Sequence, residues 1–299
     1  MLERRKFGKT DMEISVLGFG GAEIGFERAE SGQVHELLNR ALDSGLNVID
    51  TAECYLLSED LIGHAVSARR GDFYLFTKCG HPESVTREDW RPDSLLQSIE
   101  RSLRRLRTDY LDLIQLHSCS ETELRRGDVI QALETARKKG YARYIGYSGD
   151  GRDARCAVET GRFDTLQISI NIADQESIDM VMPYAREHEM GVIAKRPLAN
   201  AAWRTGALPV NPYHQIYWER LQKLGYEFLK EGIEESIEIA MRFTLSVPGV
   251  HTMIVGTQNP DRWPENAKLA AKGALDPSEF KAIREHWRKI APASWIGQT

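Results

Sequence analysis

The stretch Gly45-Leu-Asn-Val-Ile-Asp50-Thr-Ala-Glu-Cys-Tyr55 decides the fold. A glycine follows a helical pattern, Leu46, Val48 and Ile49 come next, and the apolar run stops at Asp50. A short apolar run opened by a glycine reads as a buried strand. A carboxylate at its end, then a turn of small residues and a tyrosine, is not something packing requires. Helix capping by Asp50 or Thr51 would account for it locally, but the same design recurs at later strand ends.

Upstream, residues 31–44 carry Val34, Leu37, Leu38, Ala41 and Leu42 at helical spacing, with Ser31 as the expected N-cap. Further back, residues 4–17 read as two short strands about a turn at Gly8-Lys9-Thr10-Asp11. Val16 to Phe19 reads as the first core strand, ending at Gly20-Gly21. Downstream, a helix over about 58–67 precedes the strand Phe73–Thr77, which ends at Lys78. A helix over 92–107 presents Leu95, Leu96, Ile99, Leu103 and Leu106 on one face. Its Arg101, Arg104, Arg105 and Arg107 read as a solvated face. The strand Leu111–Leu116 ends at His117, Tyr144–Tyr147 at Ser148-Gly149, and Thr165–Ile170 carries Gln167 and leads to Asn171. Gly191–Ala194 ends at Lys195-Arg196-Pro197-Leu198, and Thr252–Val255 at Gly256-Thr257. Helices are expected near 126–139, 153–160, 177–189, 235–246, 260–270 and 277–289. Residues 199–233 read as a long excursion plus a helix.

Strands and helices thus alternate about eight times, with no composition shift or linker. Alternation of this kind implies a parallel sheet with helices outside, and eight repeats imply closure. The expected fold is a single (β/α)8 TIM barrel over residues 1–299 with an N-terminal β-hairpin. A doubly wound open sheet would need a phosphate-binding glycine fingerprint after its first strand, and Gly18-Phe-Gly20-Gly21 lacks that spacing.

Composition narrows the function. The chain has 299 residues and a net charge of −5, and its pI is near 6.0. Neither a general affinity for nucleic acid nor one for anionic membrane is expected. No apolar run approaches a membrane span, and the N-terminus lacks the apolar core of a secretory signal. Four cysteines without paired spacing fit a reducing cytoplasm better than a disulfide framework.

In a barrel, residues just past each strand face one rim, where active sites lie. Asp50, Lys78 and His117 end three successive strands, and Tyr55 is one short loop away. A lysine cation near a phenol favours the phenolate, and Asp50 supplies the lysine's counter-charge. A histidine opposite can donate a hydrogen bond to a developing alkoxide. Together these groups suit polarisation and protonation of a carbonyl, with electrons delivered by something other than a side chain.

At these residues the chain resembles the aldo-keto reductase family over almost its whole length. The resemblance rests on Gly45–Tyr55 with the following Ser58-Glu-Asp-Leu-Ile-Gly63. It rests also on Leu103-Arg-Arg-Leu-Arg-Thr-Asp-Tyr-Leu-Asp-Leu-Ile-Gln-Leu-His117 and on Ile254-Val-Gly-Thr-Gln-Asn-Pro-Asp-Arg262-Trp-Pro-Glu265-Asn266. It implies a catalytic tetrad of Asp50, Tyr55, Lys78 and His117. It also implies NADPH (NADP+), with NADH as the alternative, bound across the rim. Ser148 and Gln167 fall where the family holds the nicotinamide carboxamide. Gly20, Gly21, Asp50, Lys195, Arg196, Pro197 and Leu198 fall along the cofactor's path. Gly256, Thr257, Gln258, Arg262, Glu265 and Asn266 fall at its adenosine end. Arg262 takes the position that meets the 2′-phosphate, which suits a planar guanidinium.

Three positions depart from the family. Gly149 stands where an asparagine is usual. Lys195-Arg196 stand where an aromatic usually stacks on nicotinamide, so their charges are expected to meet the pyrophosphate or an anionic substrate. Gly256 replaces a frequent lysine.

The leading expectation is a carbonyl reductase for a small-molecule aldehyde or ketone. One alternative is a cofactor-sensing regulatory subunit with slow turnover. Another is a metal-dependent barrel hydrolase or isomerase using Asp50, Glu53, His81 and His117. Cys54, Cys79 and Cys119 each lie within two residues of a tetrad member and read as small packing residues in tight turns. Trp90, Trp203, Tyr213, Tyr217 and Trp218 are candidates to line an apolar pocket. The sequence does not disclose an oligomeric state.

Overall fold

A computed structural model describes residues 2–82, 84 and 86–298. The chain opens with an antiparallel hairpin, β1 (Arg4–Lys6) and β2 (Glu13–Ser15), paired from Arg4↔Ser15 to Lys6↔Glu13. Eight parallel strands then close into a barrel. They are β3 (Leu17–Gly20), β4 (Val48–Asp50), β5 (Tyr74–Cys79) and β6 (Leu111–His117). They continue as β7 (Ala142–Ser148), β8 (Thr165–Ser169), β9 (Gly191–Lys195) and β10 (Thr252–Val255). Neighbours follow chain order, and β10 pairs back to β3 through Met253↔Leu17, Ile254↔Gly18 and Val255↔Phe19. The expected (β/α)8 barrel and hairpin are therefore both present.

The strands are buried on both faces, as parallel strands under helices must be. In β6 every residue except His117 is buried. Helices form the outer layer: α1 (Ala22–Phe26), α2 (Ser31–Asp43), α3 (Ser58–Val66), α4 (Pro92–Leu106), α5 (Glu121–Arg126), α6 (Asp128–Lys138) and α7 (Gly151–Glu159). Then come α8 (Glu176–Met180), α9 (Met182–Glu187), α10 (Pro212–Leu224), α11 (Ile233–Ser246), α12 (Arg262–Ala270) and α13 (Pro277–Ile290). α4 shows the logic. Pro92 opens it, where a missing N–H costs nothing. Leu95, Ser98, Ile99, Ser102, Leu103 and Leu106 form its buried stripe.

Besides α1 and α5, which the sequence reading did not include, the outer layer differs from the expectation in three places. Ser31 is the first helical residue of α2, and Glu30 takes the N-cap position without a side-chain bond. The helix expected over 177–189 is two helices, because Pro183 in the first turn of α9 lacks the N–H needed to continue α8. The arginine face of α4 is not simply solvated. Arg101 pairs with Glu53 at 2.7 Å and Arg105 with Glu59 at 3.5 Å, and both carboxylates are buried.

The hairpin closes the floor of the barrel. Phe7, Met12 and Ile14 pack with Val48, Phe76, Leu113 and Ile193 in one cluster. Gly8 makes this seating possible. Its φ is +56°, and a Cβ there would fall 2.3 Å from the Gly191 amide nitrogen. A separate apolar cluster, including Ile172, Tyr217, Leu221, Phe243 and Trp287, lies beneath α10, α11 and α13. It supports the 199–233 excursion through Ala202, Trp203, Tyr217, Leu221 and Leu224. Among the described residues, no helix is long and apolar enough to cross a membrane.

Candidate active site

The rim is organised by the carboxylate that ends β4. Asp50 is buried, and Lys78 Nζ on β5 donates to its Oδ2 at 2.5 Å. Its Oδ1 accepts from Gln115 Nε2 on β6 at 3.2 Å and from Gln167 Nε2 on β8 at 2.9 Å. Lys78 Nζ donates also to the Thr51 carbonyl at 2.8 Å. A buried ion pair repays its desolvation only when further hydrogen bonds satisfy it, and this one is so satisfied. Lys78 Nζ lies 5.1 Å from the centroid of the Tyr55 ring. The Tyr55 ring stands edge-on to His117, with centroids 5.7 Å apart and planes at 82°. Asp50, Tyr55, Lys78 and His117 are thus brought together.

Burial sets the protonation states here. Desolvation pushes the Tyr55 phenol well above its ordinary value of 10, with Cys54 and Asp50 acting in the same sense and Arg196 against it. The shift runs against the lowering expected from Lys78, because burial dominates. The phenol therefore holds its proton at neutral pH. Burial, then Lys78 and His81, hold His117 well below 6.5, so its imidazole is neutral. His81 Nε2 contacts the His117 carbonyl at 2.7 Å.

The expected cofactor residues fall into two groups. Ser148 Oγ donates to Gln167 Oε1 at 2.9 Å, and both residues are buried beside Asp50. Gly256 faces Gly20, and a Cβ on Gly256 would come within 3.1 Å of the Gly20 carbonyl. Gly21 N donates to the Asp50 carbonyl at 2.7 Å. Arg262 is the first residue of α12 and pairs with Glu265 at 3.7 Å, while Thr257 and Asn266 are buried nearby in sequence. Gln258 Nε2 donates to Glu27 Oε2.

The segment after β9 is less available than the sequence implies. Lys195 Nζ is tied to Asp150 Oδ2 at 2.8 Å. Arg196 donates to the Tyr213 hydroxyl and to Ser169 Oγ, both at 2.6 Å. Pro197 is buried and Leu198 packs against the core.

A model of the Aldo/keto reductase family matches residues 16–288. The chain belongs to the aldo/keto reductase family. It is 28% identical to YqkF, an uncharacterized oxidoreductase of Bacillus subtilis (strain 168), over 96% of this chain and 97% of that one. It is 25% identical to L-galactose dehydrogenase of Arabidopsis thaliana over 99% of each chain. Among solved structures it superposes on the holo form of the aldo-keto reductase AKR11C1 from Bacillus halodurans with a TM-score of 0.84, at 25% identity over 96% of each chain.

Within this aldo/keto reductase, the departure at Gly149 has a physical cause. A Cβ there would lie 2.4 Å from the Tyr147 hydroxyl and 2.6 Å from its ring. The tyrosine fills the space an asparagine side chain would need, and its hydroxyl donates to the Cys119 carbonyl at 2.8 Å.

Two polar residues escaped the sequence reading: Gln115 and Asp150. Gln115 pairs with Lys78 across β5 and β6. Its signal is the strand period, which puts Leu113, Gln115 and His117 on one face. Asp150 holds Lys195 and accepts from Ser169 N at 2.7 Å.

The metal reading fails on geometry. Glu53 is taken up by Ser98 and Arg101. Among the described residues, no three His, Cys, Asp or Glu side chains are grouped to hold an ion. The aromatics divide as well. Tyr217 is fully buried on Asp174, and Trp203 is buried on Ser236. Trp90 packs on His81, and Tyr213 remains exposed at the rim.

Proposed function

We propose that this chain is an NADPH-dependent reductase that reduces the carbonyl of an aldehyde or ketone, and oxidises the alcohol in the reverse direction. The observation that carries the reading is the convergence of Lys78, Tyr55 and His117 on one side of the buried Asp50 carboxylate. NADPH, when bound, supplies the hydride.

Every other element of the chemistry falls to the protein. His117 is neutral and donates an N–H to the carbonyl oxygen, which polarises the bond. Tyr55 gives its phenolic proton to that oxygen as the carbon gains the hydride. The phenolate so formed is met by the Lys78 cation and is reprotonated from solvent. Asp50 keeps Lys78 charged and in place. The residues present suit the cofactor. The Gly20–Gly256 approach leaves a cradle that a side chain would fill. Ser148 and Gln167 offer paired polar groups for a carboxamide. Arg262 stands at a helix N-terminus, where phosphate is favoured.

The test is Tyr55→Phe, which keeps the ring and removes the acid. Hydride transfer, followed by NADPH absorbance with a panel of aldehydes and ketones, should slow by about 10²–10⁴-fold. NADPH affinity by fluorescence quenching should stay unchanged. A variant that reduces the same aldehyde at the parent rate would remove Tyr55 from the mechanism.

A further inference from the structure

We propose that Cys54 is a positioning residue that fixes the tautomer of His117, so that the imidazole meets the substrate oxygen with an N–H and not with a lone pair. The inference rests on the reading of His117 given above. Cys54 lies in the turn between β4 and Tyr55 and is almost fully buried. Its Sγ is 3.4 Å from His117 Nδ1. The turn is clamped on the preceding residue, where Glu53 is held by Ser98 and Arg101.

A neutral imidazole has one donor nitrogen and one acceptor nitrogen. Which is which follows from the bond that either nitrogen already makes. Burial pushes the Cys54 thiol up to about 12, so it keeps its proton at neutral pH and has an S–H to give. Lys78, His81, Lys195 and Arg196 all oppose a second proton on the His117 ring. The thiol therefore donates to Nδ1, and the ring's single proton sits on Nε2. His81 bonds the His117 carbonyl and stands edge-on to its ring, while the contact to Nδ1 is made by Cys54 Sγ. The other two rim cysteines do not share this role. Cys79 Sγ approaches the Gln115 carbonyl at 3.7 Å and Cys119 Sγ that of Ser120 at 3.9 Å.

The experiment combines nitrogen-15 NMR of labelled histidine with steady-state reduction of one aldehyde at saturating NADPH. It uses the full chain and the variants Cys54→Ala, Cys54→Ser and His117→Ala. The parent should show His117 protonated on Nε2 alone. Cys54→Ala should show both tautomers, with kcat lower by about two- to tenfold, the worth of one hydrogen bond, and KM unchanged. Cys54→Ser should restore both tautomer and kcat, because its hydroxyl donates in the same place. A parent His117 protonated on Nδ1 overturns the proposal, and so does a tautomer indifferent to Cys54→Ala. His117→Ala separates the two levels of argument. If it turns over like the parent, the catalytic reading of His117 falls, whereas the NMR result for Cys54 stands or falls by itself.

Discussion

Arg262 carries the sharpest consequence at the scale of a single residue. Its guanidinium is more than a third exposed, and its ion pair to Glu265 is long at 3.7 Å. Such a group is free to close on a phosphate. Arg262→Ala should weaken NADPH more than NADH by roughly 1.5–3 kcal/mol, the value of a charge-assisted contact. Fluorescence titration with both nucleotides measures the difference, and an equal loss would put the 2′-phosphate elsewhere. The sequence discloses Asp50, Lys78 and His117 because each interrupts an apolar run with an ionisable group that packing does not ask for. It hides Gln115, whose neutral amide sits inside such a run and signals only through the strand period that puts it on the face of His117. It also hides the direction in which the Tyr55 phenol moves. Proximity to a lysine is visible in a motif, but burial is a property of the assembled rim.

Among the elements, the hairpin β1–β2 makes the most exposed prediction. Phe7 is fully buried, stacked on Phe76 with centroids 5.9 Å apart and edge-on to His251 at 5.7 Å. Phe7→Ala should cost about 3–5 kcal/mol, as large-to-small changes in a floor of this kind do. Reduction by the folded fraction should be unaffected, since the floor lies at the far end of the barrel from the rim. Urea denaturation checks the first statement and kinetics the second. A cost below about 1 kcal/mol would mean that the hairpin only covers the barrel. The hairpin is legible because four turn-forming residues separate two short runs. The break between α8 and α9 is marked by Pro183, but apolar periodicity runs straight through it. The arginines of α4 mislead for a different reason. A charge at a surface position of a helix looks solvated until the neighbouring helix supplies a buried carboxylate.

For the whole molecule, the barrel count is readable from eight repeats, whereas closure depends on one pairing, β10 to β3, that no local pattern encodes. The floor also carries a pH dependence. Val192 N donates to His251 Nδ1 at 3.0 Å, and burial with Arg5 nearby lowers this imidazole to about 4. The unfolded chain takes up that proton near 6.5 and the folded chain does not. Between these values the unfolded state binds more protons, so stability rises with pH and is lost as the pH falls from 6.5 towards 4, by about 3 kcal/mol in total. His251→Gln should flatten that part of the profile when urea midpoints are compared at neutral pH and near pH 4.5. The staves of the barrel are also unequally joined. β6 and β7 share a register from Leu111↔Ala142 to His117↔Ser148. β3 meets β4 only at Phe19↔Ile49 and Gly20↔Asp50, and β10 meets β9 only at Thr252↔Ile193 and Met253↔Ala194. On warming, the β3–β4 and β9–β10 seams should loosen first, with the fastest amide exchange of the barrel by mass spectrometry. Opening there bares apolar strand edges at Phe19 and Ile49 and at Ile193 and Met253, of the kind that templates aggregation. The rate at which this enzyme clumps in storage should therefore follow the parting of those two short seams and not the melting of the whole barrel.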